Sequence, residues 1–365
     1  MSQISVAKRE RNMGIDLLRI VSMIMVVTLH VLGHGGILKS AGSLTLNYEI
    51  VWAMEILCYC AVNCYALISG YVGVDSKFKL TNIALIWLQV VFYSVLLTVL
   101  CAYLSPDIYI DSVWKAFLPV SNYTYWYFTA YFFAFFFTPF VNAALNNLSE
   151  KQLKLTGVLL FLIVSVLPMF VKNDIFYLNN GYSALWILIM YILGGIIKKT
   201  GFMHKVKWYA LALIYLFACF ATWAEKYIVD YLKVNKIDTA YTSSKLVSYT
   251  SVTVVLASVA LVVLFSKVKA GKWSTKVISF FAALTFGVYL IHEMPLVRNM
   301  FLKNKLVEIA SLDAWLMAVI IVAIVISIFL VCAGVEYIRG LLFKVLKIKQ
   351  LLQFIETNTI GRITK

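Results

Sequence analysis

An all-α integral membrane protein of about ten transmembrane helices, with both termini cytoplasmic, is the fold that three observations predict. The 365-residue chain is 62% hydrophobic and 13% charged, where soluble domains carry about 25% charged residues. Its mean hydropathy is +0.88. Its apolar residues come in long continuous runs instead of the alternating segments of about ten residues that build a barrel. So much apolar surface cannot be hidden inside a globule of this size, and in lipid only helices and closed barrels satisfy their backbone groups.

A span needs about 20 mostly apolar residues. Ten stretches qualify, at 13–33, 50–72, 81–104, 125–145, 155–171, 183–198, 207–225, 246–266, 277–297 and 314–342. The first follows Lys8, Arg9 and Arg11 and has no small-residue cleavage site before His34, so it reads as a retained span. Gly194 and Gly195 suggest that the shortest, 183–198, is kinked or partly buried. Placing the N-terminus in the cytoplasm puts 21 of the 32 Lys and Arg residues on the inside and 10 outside, with Arg19 within the first span. That asymmetry supports ten spans with both ends inside. Two outside loops, 105–124 with Pro106, Asp107, Asp111, Trp114 and Pro119, and 226–245, are long enough to cover an external cleft. The chain therefore divides into a transmembrane domain at 1–345 and a basic cytoplasmic tail at 346–365.

The formal charge of +15 fits basic cytoplasmic loops, not nucleic-acid binding. All six cysteines (Cys58, Cys60, Cys64, Cys101, Cys219, Cys332) fall in apolar runs without zinc spacing to histidine, as packing thiols do.

Ionisable residues inside spans mark functional candidates. Arg19 and His30 are eleven residues apart, about 20° modulo a turn and about 16 Å along a helix, and Asp16 falls within about 40° of His30. These three share one stripe, which must face protein. The second span carries Glu55, Asn63 and Ser69-Gly70-Tyr71, followed by Lys77 and Lys79. The ninth carries Tyr289, His292 and Glu293. Two polar levels result: His30, Glu55, His292 and Glu293 at the outer end; Asp16, Arg19, Ser69, Tyr71, Lys77 and Lys79 at the inner. Asp16 and Arg19 at i,i+3 also suit a plain anchoring pair, and His292 with Glu293 also suits interhelical packing. His34 and His204 read as surface residues. His30 and His34 alone have i,i+4 spacing, but Gly33 and Gly35-Gly36 predict that the helix ends there, so no metal site is expected.

Several fragments carry a resemblance. Gly14-Ile15-Asp16-Leu17-Leu18-Arg19 followed by His30 resembles the opening signature of the acyltransferase-3 family, an Asp-x-x-Arg combined with Arg-x(10)-His. Cys64 to Tyr71, ending in Ser-Gly-Tyr, is similar to that family's second-helix ending. Trp126-Tyr127-Phe128 with Pro139 resembles its Trp-aromatic segment, and Leu284 to His292 its late Phe-Gly-x-Tyr-Leu-x-His signature. The chain departs from the family in having Lys77 and Lys79 where many members have an arginine pair, and no fused hydrolase-like domain appears at the C-terminus.

The resemblance implies a bacterial plasma-membrane O-acyltransferase. It would move an acyl group, most often acetyl, from cytoplasmic acyl-CoA to a hydroxyl of a surface polysaccharide or its lipid-linked precursor. Acetyl-CoA is then a donor substrate, and no bound cofactor is expected. The partners implied are acyl-CoA, a carbohydrate or lipid-linked glycan and the bilayer. His30 is expected to activate the acceptor hydroxyl or to carry the acyl group transiently. Arg19, held by Asp16, would bind phosphate or steady the thioester oxygen. Ser69, Tyr71, Lys77, Lys79, Glu55, Trp126, Tyr289, His292 and Glu293 complete the substrate- and acyl-CoA-binding candidates. An acyl thioester threaded between the two levels requires Arg19 and His30 to share a cavity. The rival readings are a transporter or flippase of a glycan-related substrate, for which no paired broken helices or repeat is visible, and a sensor or structural membrane protein.

Overall fold

Lipid offers no hydrogen-bond partner to a backbone, so each apolar run closes its own ladder. The computed structural model describes residues 11–105, 110–171, 174–237 and 244–360, and among these every regular element is helical. Lys8, Arg9, Pro106, Asp107, Lys172, Arg362 and Lys365 lie outside the described residues, as does the side chain of Asp111.

The principal helices are α1 (Met13–Gly33), α2 (Leu46–Cys58), α3 (Ala61–Gly73), α4 (Leu80–Leu104), α5 (Trp126–Asn147), α6 (Glu150–Phe161), α7 (Ala184–Thr200), α8 (Trp208–Val234), α9 (Val252–Ser266), α10 (Lys272–His292), α11 (Ala314–Val345) and α12 (Ile348–Ile355). Eight stretches are long and apolar enough to cross a membrane, with α2 and α3 together forming one of them and α6 running on through π and 3-10 turns to Phe170. The protein is a multi-pass membrane protein.

The other two apolar stretches fold as shorter helices. α7 has 17 residues and α9 has 15, which is about 26 and 23 Å of rise. α7 starts within one residue of the predicted 183, whereas α9 starts six residues after the predicted 246 because the residues before it form a loop. Tyr182, just before α7, and Tyr249, just before α9, are used as a cavity wall. Conversely, α8 runs nine residues past the predicted end at 225. Lys226 there pairs with Asp230 and lies 4.1 Å over the Trp52 ring, and Tyr48 donates to Asp230 at 2.6 Å. The first nine residues of the long loop expected at 226–245 are therefore helix.

α1 is central, packing against α2, α3, α9, α10 and α11. Its start is capped by Asn12, which accepts from the Ile15 amide at 3.1 Å and donates to the Ser266 carbonyl at 2.9 Å. α3 and α7 approach at backbone distance. A Cβ on Gly70 would stand 1.8 Å from the Tyr191 carbonyl oxygen, and one on Gly194 would stand 2.0 Å from that of Leu67. Only glycine at both positions permits this crossing.

The second predicted span is broken at Tyr59-Cys60, between α2 and α3. The ninth stops at His292, since Pro295 opens a separate short helix, Pro295–Phe301. The C-terminal tail is not featureless. α12 is followed by Glu356, which caps the start of α4 by accepting from the Leu80 and Thr81 amides at 2.8 and 3.2 Å and from the Thr81 hydroxyl.

Candidate functional site

α1 carries His30 in its last turn and α10 ends on His292, and the packing of these two helices brings the imidazoles together. His30 Nδ1 lies 2.9 Å from His292 Nε2. His292 Nδ1 lies 2.6 Å from the Val288 carbonyl oxygen. A carbonyl can only accept, so His292 Nδ1 carries the proton and, in the neutral ring, Nε2 is bare. His30 must then donate from Nδ1, and its Nε2 is left as the basic nitrogen. Two hydrogen bonds thus set the tautomer of His30.

Glu293, the residue after α10, joins the pair. Its Oε2 is 3.1 Å from His30 Nδ1 and 3.5 Å from His34 Nε2. Its Oε1 accepts from Arg298 Nη1 at 2.6 Å. Oε2 itself accepts no well-aligned hydrogen bond among the described residues, because the His30 proton is directed at His292.

The end of α1 is firmer than the glycines predict. His34 keeps a right-handed helical backbone, and its amide bonds the His30 carbonyl at 2.9 Å. The Asn304 amide then bonds the His34 carbonyl at 2.9 Å, and the Leu306 amide bonds that of Gly35 at 3.0 Å. His34 is therefore held beside Glu293, a correction to its reading as an ordinary surface residue.

A cavity of about 390 Å³ opens beside this cluster. His30, Glu293 and Arg298 form one wall. Glu55, Tyr59 and Tyr65, from either side of the broken α2–α3 helix, form another. Trp126, Tyr127, Tyr182 and Tyr249 supply an aromatic face, with Trp126 parallel to the Tyr249 ring at 6.4 Å and Tyr182 at 4.6 Å from Trp126. Tyr289 lines it too. Glu55 Oε2 and the Tyr289 hydroxyl are buried with no hydrogen-bond partner among the described residues. Asn63 holds the aromatic face in place, donating to the Tyr249 carbonyl and accepting from Trp186 Nε1, both at 2.8 Å.

The Arg19 end is separate. The buried Asp16 carboxylate accepts from Arg19 Nη1 at 2.8 Å and also from Arg11 Nε. Arg19 is not on the wall of this cavity, so the two residues that threading joins do not both line it. Tyr65 stands between the levels: its ring lines the cavity and its hydroxyl donates to the Arg19 carbonyl at 2.7 Å. Ser69 and Tyr71 do not reach the cavity. The Ser69 hydroxyl donates to the Tyr65 carbonyl one turn back, and Tyr71 is buried under Lys198. Lys77 and Lys79 are exposed in the segment before α4.

Of the sequence candidates, His30, Glu55, Trp126, Tyr289, His292 and Glu293 are brought together, with Asp16 and Arg19 as a distinct pair. Sequence reasoning missed Tyr59, Tyr65, Tyr182, Tyr249, His34 and Arg298. Arg298 left a signal, a charge just beyond a helix stop at Pro295, and His34 left one in its i,i+4 spacing to His30, which the predicted helix end set aside. Gly287, in the Phe-Gly-x-Tyr segment, has a structural reason. A Cβ there would stand 2.3 Å from the Glu336 carboxylate, which is buried and bonded to Gln89, Tyr93 and Arg339.

No curated protein and no solved structure matches the chain. The model of the acyltransferase-3 family, described as an acyltransferase domain, matches residues 12–336. That match runs from the cap of α1 to Glu336 and includes the His30–His292 pair and the cavity beside it, so the chain belongs to this family of acyltransferases.

Proposed function

We propose that the protein is an O-acyltransferase of the bacterial plasma membrane. It takes an acyl group, acetyl first, from cytoplasmic acyl-CoA and places it on a hydroxyl of a surface polysaccharide or its lipid-linked precursor. The observation that carries this reading is the locked tautomer of His30, which leaves a basic nitrogen on a residue lining a cavity of about 390 Å³. In the reaction His30 Nε2 takes the acceptor proton as the hydroxyl oxygen bonds the thioester carbon. The carbon–sulfur bond then breaks, and the imidazolium returns the proton to the CoA sulfur. The products are an ester and free CoA, and the histidine is regenerated.

The aromatic face of Trp126, Tyr182 and Tyr249 suits the apolar face of a sugar ring, and Glu55 can accept from sugar hydroxyls. At the other end Arg19, Arg11, Lys77 and Lys79 offer positive charge for the phosphates of CoA. Lysines there act as point charges without the bidentate fork of arginine. With the N-terminus cytoplasmic, the Arg19 end faces the CoA pool, and the acyl group must pass Tyr65 to reach His30.

The test is acetyl-CoA turnover by purified protein in lipid, with a crude surface-glycan acceptor, wild type beside His30→Ala. Turnover that falls at least about a hundredfold in the variant is expected. A folded His30→Ala protein with full activity, or no turnover by wild type with several acyl-CoAs, refutes the reading; the second result favours a transporter.

A further inference from the structure

We infer that His30, His34 and Glu293 form a binding site for a divalent transition-metal ion, zinc foremost, beside the cavity. His30 Nδ1 and His34 Nε2 stand 3.1 and 3.5 Å from Glu293 Oε2, and the three donor atoms all lie within 4.8 Å of one another. Two ligands of a tetrahedral zinc, each about 2.1 Å from the metal, are about 3.4 Å apart. The two separations to the carboxylate bracket that value, and rotation of the two imidazoles about their side-chain bonds closes the third, which lies within 4.8 Å.

A second observation points the same way. Glu293 is 6% exposed, and Oε2 is buried with no well-aligned donor among the described residues. A buried carboxylate oxygen whose two neighbouring imidazole nitrogens are poorly aligned as donors is under-satisfied, which is costly, and a cation is a partner this geometry accommodates. The carboxylate is already oriented, since its other oxygen is held by Arg298 at 2.6 Å, as metal-binding carboxylates commonly are. The helix end that presents the two imidazoles is pinned by Asn304 and Leu306. The half-exposed His34 provides the way in.

Two imidazoles and one carboxylate, with a fourth position open, form a donor set that zinc uses. Magnesium and calcium prefer oxygen ligands and are poorly served here. The Arg298 guanidinium adds a positive charge nearby that opposes a dication, so micromolar occupancy is expected.

One consequence rests on the function proposed above. For Nδ1 of His30 to bind metal, its hydrogen must move to Nε2 and its bond to His292 must break. The imidazole then has no lone pair for an acceptor hydroxyl. Zinc occupancy and proton abstraction by His30 exclude one another.

The experiment uses the full chain in lipid discs, stripped with chelator. Bound zinc is counted by atomic emission after equilibrium dialysis, and cobalt absorption spectra report the ligand geometry. One zinc per chain is expected in the wild type. Affinity should fall at least tenfold in His34→Ala and in Glu293→Gln, with magnesium failing to compete. Acyl transfer should decline in step with occupancy, return on adding chelator, and become at least tenfold more zinc-resistant in His34→Ala. A monodisperse wild-type protein that binds no stoichiometric zinc, or His34→Ala binding it with unchanged affinity, overturns the site. Transfer that depends on His30 would still stand in that case. Stoichiometric zinc with undiminished transfer overturns the exclusion and, with it, the assignment of His30 as the base.

Discussion

His30 and His292 are 262 residues apart in the chain, yet their ring nitrogens meet at 2.9 Å. The hydrogen bond between them has a direction, because His292 is already committed to the Val288 carbonyl through its other nitrogen. Chemistry at His30 is therefore conditioned by a residue that itself does not line the cavity.

His292→Ala removes the acceptor for His30 Nδ1 and frees the ring to change tautomer. The expected result is a fall in kcat of about tenfold to a hundredfold, with the KM for acetyl-CoA nearly unchanged. Steady-state kinetics with both substrates varied would check it. A merely packing role would instead lower the thermal midpoint and leave kcat intact.

Tyr65 separates the cavity from the Arg19 end. Tyr65→Phe loses one hydrogen bond, about 1 kcal/mol, and keeps the ring, so turnover close to wild type is expected. Tyr65→Ala removes the partition, and the turnover ratio of butyryl-CoA to acetyl-CoA should rise at least tenfold. Equal ratios in the two variants would show that the ring is not the divide.

The crossing of α3 and α7 leaves no room for a side chain at Gly70. Gly70→Ala forces the helices apart against backbone and should cost about 1–3 kcal/mol or more. Its measure is a drop in thermal midpoint for protein purified in lipid, with Gly73→Ala as a milder comparison because its nearest obstacle is the end of the Tyr191 side chain.

Glu356 ties the C-terminal helix to the start of α4. The Thr81 hydroxyl and, against slight burial, the Leu80 and Thr81 amides hold its carboxyl below the usual carboxylate range. Because the folded-state pKa is depressed, this tether is fully present above the unfolded value of about 4.3 and is lost as pH falls through the folded value. Hydrogen exchange across 348–355, corrected for intrinsic rates, should show protection at neutral pH that disappears on acidification. Glu356→Gln should lose much of that protection at neutral pH as well. Protection in Glu356→Gln equal to wild type would show that the tether is not ionic.

The sequence by itself determined the class of the protein and where its apolar helices lie to within a few residues for most of them, because both depend on the length and continuity of apolar runs; the number that cross the membrane it did not determine. It also determined that Asp16, Arg19 and His30 share a stripe, since helical spacing is a local property. The motif segments that resemble the family were legible for the same reason.

Tertiary structure decided which of these residues meet. Arg19 and His30 share a stripe, yet Arg19 does not line the cavity that His30 lines, and Tyr65 from another helix stands between the two levels. Ser69 and Tyr71 lie in a recognisable segment yet turn to their own helix and to Lys198, since that segment is where α3 packs against α7. His34 and Arg298 look like surface residues along the chain and become neighbours of Glu293 once residues 304 and 306 pin the end of α1. Local periodicity says which way a side chain faces. Only the packing of helices far apart in sequence says what it faces.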